Sequence, residues 1–395
     1  DGIADDSRTT QNGGAYIFRP STLDQSFRIL PPRHVSVVLH ESDLITEVHA
    51  EFGEPTPWIK QITRLIKGKD YVEVEYVVGS VPIENGIGKE VVSRYSTAIE
   101  SDTNFYTDSN GREFVKRKRG DPLVFGYDSP NFEPELEPVA GNYYPVNAAM
   151  YLEDERRSFS ILVDRSQGGS SLSDGSLELM IHRRLLHDDA RGVGEPLNET
   201  DGGITACPPY GNATRAGSGV VVKGVHRLMI GKGNGGAGLA RSQMDGAFSP
   251  PHVFVGTAAK DVHVPFHQPG VSMARTSLTG NIMVVTFTAL EEDGAFLARL
   301  AHQYARGESN NDDAPSSQRA FVNLQDLFPG RDIISVVEKN LSANRDRADW
   351  EGRRLRWDNM NTDAKKATAR VDEEVAMRHG NAYVVVLQPL EIRTF

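Results

Sequence analysis

The sequence predicts a mainly β protein assembled from several antiparallel β-sandwich domains with few helices. Three observations carry that expectation. Short strand-like segments recur along the chain, with clear apolar–polar alternation in YVEVEY (71–76). Turn chemistry separates them, most clearly Asn110-Gly111. Segments with a 3.6-residue apolar period are sparse.

Taken in order, residues 34–52 hold two strand-like runs, HVSVVLH and LITEVHAEF. Residues 59–66 form the next run, and Lys67-Gly68-Lys69-Asp70 is its turn. The following YVEVEY places Val72, Val74 and Tyr76 on one face and Glu73 and Glu75 on the other. That period of two is the pattern of a half-buried antiparallel strand. In residues 105–115, Asn-Gly sits between two strand-like arms, and its tolerance of positive φ predicts a hairpin. Residues 157–164, 176–185, 219–231 and 280–290 continue the series, and AYVVVLQPLEIRTF closes the chain. Residues 293–305 fit a short amphipathic helix or a strand equally well, and 343–357 are helix-like but highly charged.

Small polar stretches at 231–238 and 307–317 can bury little surface and read as loops or linkers. With them the chain divides into an N-terminal segment (1–35), a large β-sandwich (36–310) and a C-terminal β-rich domain (311–395). No internal repeat stands out.

The 395 residues suffice for a sizeable core, and 38% apolar with 25% charged residues describes a globular chain. A net charge of −11 argues against nucleic-acid partners, which need a basic face. The run Lys116-Arg117-Lys118-Arg119 is local and reads as an exposed strand end. No apolar run approaches the roughly 18 residues of a membrane helix. A chain that starts at Asp1 and not Met is expected to be either an expressed fragment or a piece cut from a precursor, which leaves room for a lost secretory leader. Cys207, the sole cysteine, is either free or paired with another chain. Asn198, Asn212 and Asn340 each head an N-x-S/T sequon, and two of them share one polar loop, as a secretory route would favour.

Most candidate motifs dissolve on inspection. GKGNGG lacks phosphate-loop spacing and no clear helix follows it, so a flexible loop is expected. His263 and His267 have i,i+4 spacing, but Pro265 between them would break a helix. HExxH and C-x-x-C are absent, so no metal site is self-contained. Ser170 and Ser171 follow a glycine pair but miss the G-x-S-x-G elbow.

Residues 164–200 stand apart, with seven acidic residues, six basic ones counting both histidines, and five glycines. Within them Asp188 and Asp189 are adjacent and Arg191 follows. Adjacent side chains on a strand diverge, so these two carboxyls do not make a glycosidase pair, which must span a substrate. Two readings stay open: a salt-bridged turn, or a guanidinium held rigid by carboxylates and offered to vicinal hydroxyls.

Six ordered segments carry a resemblance. GGAYIFRP (13–20), FYTDSNGRE (105–113), EPVAGNYYPVN (137–147), DRSQGGSSLSDGSLELMIHRRLLHDDARGV (164–193), VNLQDLF (322–328) and PLEIRTF (389–395) resemble the C-terminal half of the class II α-mannosidases, family 38 of the glycoside hydrolases. DRSQGG is more similar to the lysosomal and plant vacuolar enzymes than to the Golgi ones. The resemblance implies a C-terminal subunit of a zinc-dependent retaining α-mannosidase, with a large mutarotase-like sandwich. It implies that Zn²⁺, the nucleophile and the general acid belong to a larger N-terminal catalytic chain of the same precursor. No catalytic or metal-binding residue is then expected in this chain. By the same resemblance Tyr16 and Arg191 hydrogen-bond mannose or its neighbouring groups, and higher oligomers, N-glycan substrates and a lysosome or protein storage vacuole are expected. Our own addition is that Asp188 and Asp189 orient Arg191 and that the QGGSS turn lets backbone approach the ligand. Two rivals remain: a non-catalytic carbohydrate-binding β-sandwich, and a self-sufficient hydrolase using Ser170 or Ser171.

Overall fold

The computed structural model describes residues 13–20, 36–53, 57–120, 139–192, 194, 196–202, 204–206, 214–215, 217–256, 278–290, 294–308, 315–328, 331–353, 355, 377–379 and 382–395. His263, His267, Cys207 and Asn212 lie outside the described residues. Two compact units emerge, residues 1–250 and 251–395. Among the described residues no helix is long and apolar enough to cross a membrane.

In the first unit the strands are β1 (Ser36–Glu41), β2 (Ile45–Phe52), β3 (Ile59–Ile66), β4 (Val72–Val78), β5 (Lys89–Ser96), β6 (Asn104–Ser109), β7 (Glu113–Lys118), β8 (Tyr144–Val146), β9 (Ala149–Glu153), β10 (Arg157–Val163), β11 (Gln167–Ser170), β12 (Ser176–Arg184), β13 (Ile204–Ala206), β14 (Thr214–Arg215) and β15 (Val222–Lys232). Helix α1 (Gly236–Phe248) follows. A nine-stranded sheet runs β1-β2-β3-β4-β15-β10-β9-β6-β7, a four-stranded sheet runs β5-β12-β11-β8, and β13 pairs with β14. Every strand pair in it is antiparallel.

The two large sheets form a sandwich. Phe105, Met150, Leu152, Phe159 and Ile161 of the larger sheet pack with Tyr144, Val146, Leu177 and Leu179 of the smaller in one buried cluster. The alternation in β4 works as expected: Val74 and Tyr76 are buried, while Glu73 and Glu75 meet Arg64 at 3.3 and 2.9 Å. Asn110 and Gly111 turn the β6–β7 hairpin with φ of +52° and +70°. Asp108 explains why this hairpin is tied to the next motif. Its carboxylate accepts the amides of Gly111, Asn147, Ala148 and Ala149 at 2.7–3.0 Å. The basic run lies on the end of β7, an edge strand, and the turn after it, with Lys116 and Lys118 exposed and Arg117 stacked 4.4 Å above the Tyr144 ring.

Helix α1 corrects the expectation that no helix follows GKGNGG. Its sequence, GAGLARSQMDGAF, carries little apolar periodicity and two interior glycines, which lower helix propensity. Packing compensates: Ala240 and Met244 join Ala149, Leu162 and Met229 on the outer face of the nine-stranded sheet. A Cβ on Gly236 would sit 2.2 Å from the Tyr151 ring, so the glycine is required for this contact.

The second unit contains β16 (Ile282–Ala289), β17 (Phe296–His302), β18 (Ala320–Asn323), α2 (Arg347–Arg353), β19 (Met377–His379), β20 (Ala382–Leu387) and β21 (Ile392–Thr394). Sheets β16-β17-β21 and β18-β20-β19 share one core around Leu300, Val322, Val385, Leu387 and Phe395. Residues 293–305 thus resolve as strand β17, and 343–357 contain the short helix α2. Arg393, paired with Glu338 at 2.6 Å, is buried here. Because β16 and β17 hydrogen-bond to each other and β17 to β21, residues 282–302 belong with the C-terminus. The units therefore separate at Pro250–Pro251, a different division from that at 35 and 310.

Candidate functional site

The outer face of the four-stranded sheet carries the site. Leu177 and Leu179 of β12 point into the sandwich core, so Glu178 between them points away from it. A bulge between Met180 and His182 then shifts the register, and Arg183 pairs across to Glu90 of β5. Without that extra residue the alternation would turn Arg183 toward the core face. With it, Glu178 and Arg183 share the outer face, each opposite an ion-pairing partner on β5, Arg94 and Glu90.

Segment 13–20 is laid over this face and is fastened in three places. Arg183 donates to the carbonyls of Gly14 (2.5 Å), Ala15 (3.2 Å) and Ile17 (3.3 Å). The Phe18 ring packs edge-on against Tyr143 at 4.8 Å. Tyr143 in turn donates its hydroxyl to Glu178, which Arg94 holds at 2.7 Å. Burial, with the Glu178 carboxylate adding to it, holds the Tyr143 phenol well above its ordinary range. The third fastening is Asp189, 1% exposed. One carboxylate oxygen accepts the amides of Tyr16 (2.6 Å) and Ile17 (3.0 Å), and the other accepts the amide of Arg191 (3.2 Å).

Asp189 therefore joins two loops about 170 residues apart and brings Tyr16 next to Arg191. A Cβ on Gly192 would lie 3.3 Å from the Tyr16 ring and hydroxyl, so that side chain lies against the residue following Arg191. Gly192 has φ of +153° and Ala190 φ of +55°, the price of so sharp a loop. Both Tyr16 and Arg191 are exposed, and among the described residues neither hydroxyl nor guanidinium has a hydrogen-bond partner. Rigid backbones thus present an adjustable donor–acceptor and a planar fork of donors to solvent, a pairing suited to polyhydroxylated ligands.

Several expectations change at this point. Asp189 reaches Arg191 through the backbone amide rather than the guanidinium, in the local turn geometry common for aspartate. Asp188 is half-buried and shows no hydrogen bond or ion pair with Arg191. The first four residues of QGGSS form strand β11 and not a turn. Gly169 is buried, and a Cβ there would meet Val146 at 2.7 Å and Met150 at 3.0 Å, so its smallness serves the core. Ser170 and Ser171 are fully buried and donate to the carbonyls of Asn142 and Ser173, which removes both as nucleophiles. Sequence reasoning missed Glu90, Arg94, Tyr143, Glu178 and Arg183; the complementary charges in KEVVSRYS and SLELMIHRR were the available signal.

Behind this face, between the sheets, His226 is fully buried. Its Nε2–H donates to Gln167 Oε1 at 2.9 Å and its Nδ1 accepts the Tyr95 hydroxyl at 2.9 Å. Burial lowers its pKa to about 4, so the ring is neutral. Two sequons are described. Asn198 accepts from Arg184 Nε through its Oδ1 at 3.1 Å, whereas Asn340 donates its Nδ2 to Asn344 at 2.7 Å. Among the described residues no three His, Cys, Asp or Glu side chains converge in a way that could hold a metal ion.

Residues 6–191 match the family described as Glycosyl hydrolases family 38 C-terminal domain. Over 97% of its length the chain is 39% identical to a probable alpha-mannosidase of Arabidopsis thaliana, covering 35% of that protein. It is 36% identical, over 99% of its length, to the lysosomal alpha-mannosidase of Cavia porcellus, again covering 35%. The chain thus spans about a third of the length of the curated relatives it matches. A crystal structure of a family 38 protein from Enterococcus faecalis superposes with a TM-score of 0.51 at 13% identity, over 91% of this chain and 36% of that one, a likeness of fold.

Proposed function

This chain belongs to the family 38 glycosyl hydrolases, as a C-terminal region of an alpha-mannosidase, and from that premise we propose what it contributes to the reaction. The whole protein hydrolyses terminal non-reducing α-D-mannose with retention, on N-glycans and simple mannosides. This chain supplies the scaffold and two substrate contacts, Tyr16 and Arg191. The nucleophile and the acid/base reside on a larger N-terminal chain of the same precursor, and such pairs assemble further. A zinc ion holding vicinal sugar hydroxyls takes its ligands from that partner. The lysosome or plant vacuole is the compartment, a reading supported by the lysosomal name of one relative.

The observation that carries this reading is the Asp189 clamp, which ties the backbones of Tyr16 and Arg191 to one carboxylate while both side chains stay exposed. A sugar hydroxyl accepts from the Arg191 fork while the Tyr16 hydroxyl donates or accepts as the ring position demands. Such fixed donors stabilise a transition state because they need no reorganisation when charge develops.

The test uses the full-length protein and 4-nitrophenyl α-D-mannopyranoside. Tyr16→Phe and Arg191→Ala should each lower kcat/KM, Arg191→Ala by about 2–4 kcal/mol of transition-state binding. Assembly, followed by size-exclusion chromatography, should stay intact. Wild-type rates in both variants would contradict the assignment. Full activity of this chain alone, insensitive to chelators, would refute the division of labour. Mannose affinity in the isolated chain, with both variants of the whole protein fully active, would instead favour a carbohydrate-binding module.

A further inference from the structure

We infer that Arg183 and Glu90 form a largely enclosed positioning pair that sets the Tyr16 loop for substrate, an inference that rests on Tyr16 being a substrate contact. Asp189 secures only the amide side of the loop, at Tyr16 and Ile17. On its carbonyl side the Arg183 guanidinium reaches Gly14, Ala15 and Ile17, and the Ile17 carbonyl also accepts the Gly14 amide at 3.0 Å within the loop. Tyr16 therefore sits between a fixed anion and a fixed cation, and its ring direction follows from both. A planar fork can serve several acceptors at once, which an ammonium on a flexible stem does not reproduce.

Glu90 fixes the fork. Its Oε1 accepts from Arg183 Nε at 3.0 Å and from Nη2 at 2.5 Å. The pair is largely enclosed, with side-chain exposures of 20% for Arg183 and 11% for Glu90. Both residues act through the loop: Arg183 touches its backbone carbonyls and Glu90 touches Arg183. The second carboxylate oxygen of Glu90 is buried and has no hydrogen-bond partner. A buried anion with one satisfied oxygen is a costly arrangement, and its cost depends on protonation.

Among the described residues the charged and titratable groups facing Glu90 are Arg183 on β12 and the Tyr143 phenol, itself tied to Glu178 and Arg94. Burial outweighs Arg183 and raises the Glu90 carboxyl to about 7. Nη2 is shared between Glu90 and the carbonyls of Gly14 and Ile17. An ionised Glu90 competes for that nitrogen more strongly than a neutral one. The loop is thus held best on the acid side, and its grip on substrate weakens as pH rises through 7.

The experiment measures KM and kcat of the full-length protein on 4-nitrophenyl α-D-mannopyranoside from pH 4 to 8.5. Variants are Arg183→Lys, Glu90→Gln, Tyr16→Phe and the doubles with Tyr16→Phe. Arg183→Lys should raise KM about tenfold in the parent and less than about twofold in the Tyr16→Phe background, because coupled residues are non-additive. Glu90→Gln, a neutral isostere, should abolish the rise of KM near pH 7 that the parent shows. Multiplying effects of Arg183→Lys and Tyr16→Phe would overturn the inference. So would a Glu90→Gln protein whose KM follows the parent's pH course, a readout that stands even if Arg183→Lys fails to fold. A Tyr16→Phe protein with parental KM and kcat would instead remove the assignment of Tyr16, and this inference with it.

Discussion

The backbone amide of Tyr16 lies 2.6 Å from a carboxylate oxygen of Asp189, a residue 173 positions further along the chain. The same carboxylate takes the Ile17 and Arg191 amides, so three donors converge on one buried anion. Hydrogen bonds to a charged acceptor are worth about 1.5–3 kcal/mol each, more than neutral ones. Asp189→Asn replaces one acceptor oxygen by a donor that faces N–H groups. It should lower kcat/KM of the full-length protein by about 10- to 100-fold. Steady-state kinetics on a mannoside checks this, and parental kcat/KM would mean the clamp is dispensable.

Gly14 approaches the same residue from the other side. A Cβ there would stand 2.6 Å from both the Cβ and the amide nitrogen of Asp189. Neither atom is the free end of a flexible side chain, so the loop itself must move. Gly14→Ala should cost about 1–3 kcal/mol of stability. The same displacement carries Tyr16 away from Arg191, so activity should fall with stability. Thermal unfolding together with kinetics tests both halves. A variant that melts and turns over like the parent would show that the approach is looser than the geometry implies.

The alternation in YVEVEY and the Asn-Gly turn were legible because each depends on neighbours within a few residues. Helix α1 was not, because Ala237, Ala240 and Met244 are a thin apolar stripe that only the β-sheet beneath completes. The bulge at Met180–His182 left no mark either. Reading SLELMIHRR by strict alternation puts Arg183 on the wrong face, and the cross-strand partner that fixes the register lies 93 residues away. Tyr16 and Arg191 entered through resemblance, not pattern. Nothing local marks GAYIF as facing the HDDAR loop; Asp189 makes that connection only after the chain folds.

The two described sequons differ in what their amide nitrogens do. Asn198 is oriented by Arg184 through its oxygen, which leaves Nδ2, the atom that accepts a glycan, outside that bond. Asn340 spends Nδ2 on Asn344, and its own oxygen is buried without a partner. Glycan occupancy should therefore be higher at Asn198 than at Asn340. Peptide mass mapping of the protein from a secretory host measures it, and the reverse order would contradict this reading.

Acid stability sets two buried groups against each other. His226 falls from 6.5 to about 4 on burial. The unfolded chain then takes up this proton before the folded one does. Its contribution is complete above pH 6.5 and is lost as pH falls through 4. The loss amounts to about 3 kcal/mol at about 1.36 kcal/mol per unit. Glu90 runs the other way, from 4.5 to about 7: its contribution is complete below pH 4.5 and is lost as pH rises through 7. Between these values the slopes oppose, so thermal stability of the parent should vary little from pH 4.5 to 6.5. His226→Gln keeps a polar side chain between Tyr95 and Gln167 but cannot take a charge. It should unfold at a lower temperature than the parent at pH 7 and lose less on acidification to pH 4. Glu90→Gln should lose less on alkalinisation to pH 8. Unfolding temperatures of the full-length protein across that range decide the matter. Parallel pH curves for parent and His226→Gln would mean that the buried imidazole does not govern the acid limb.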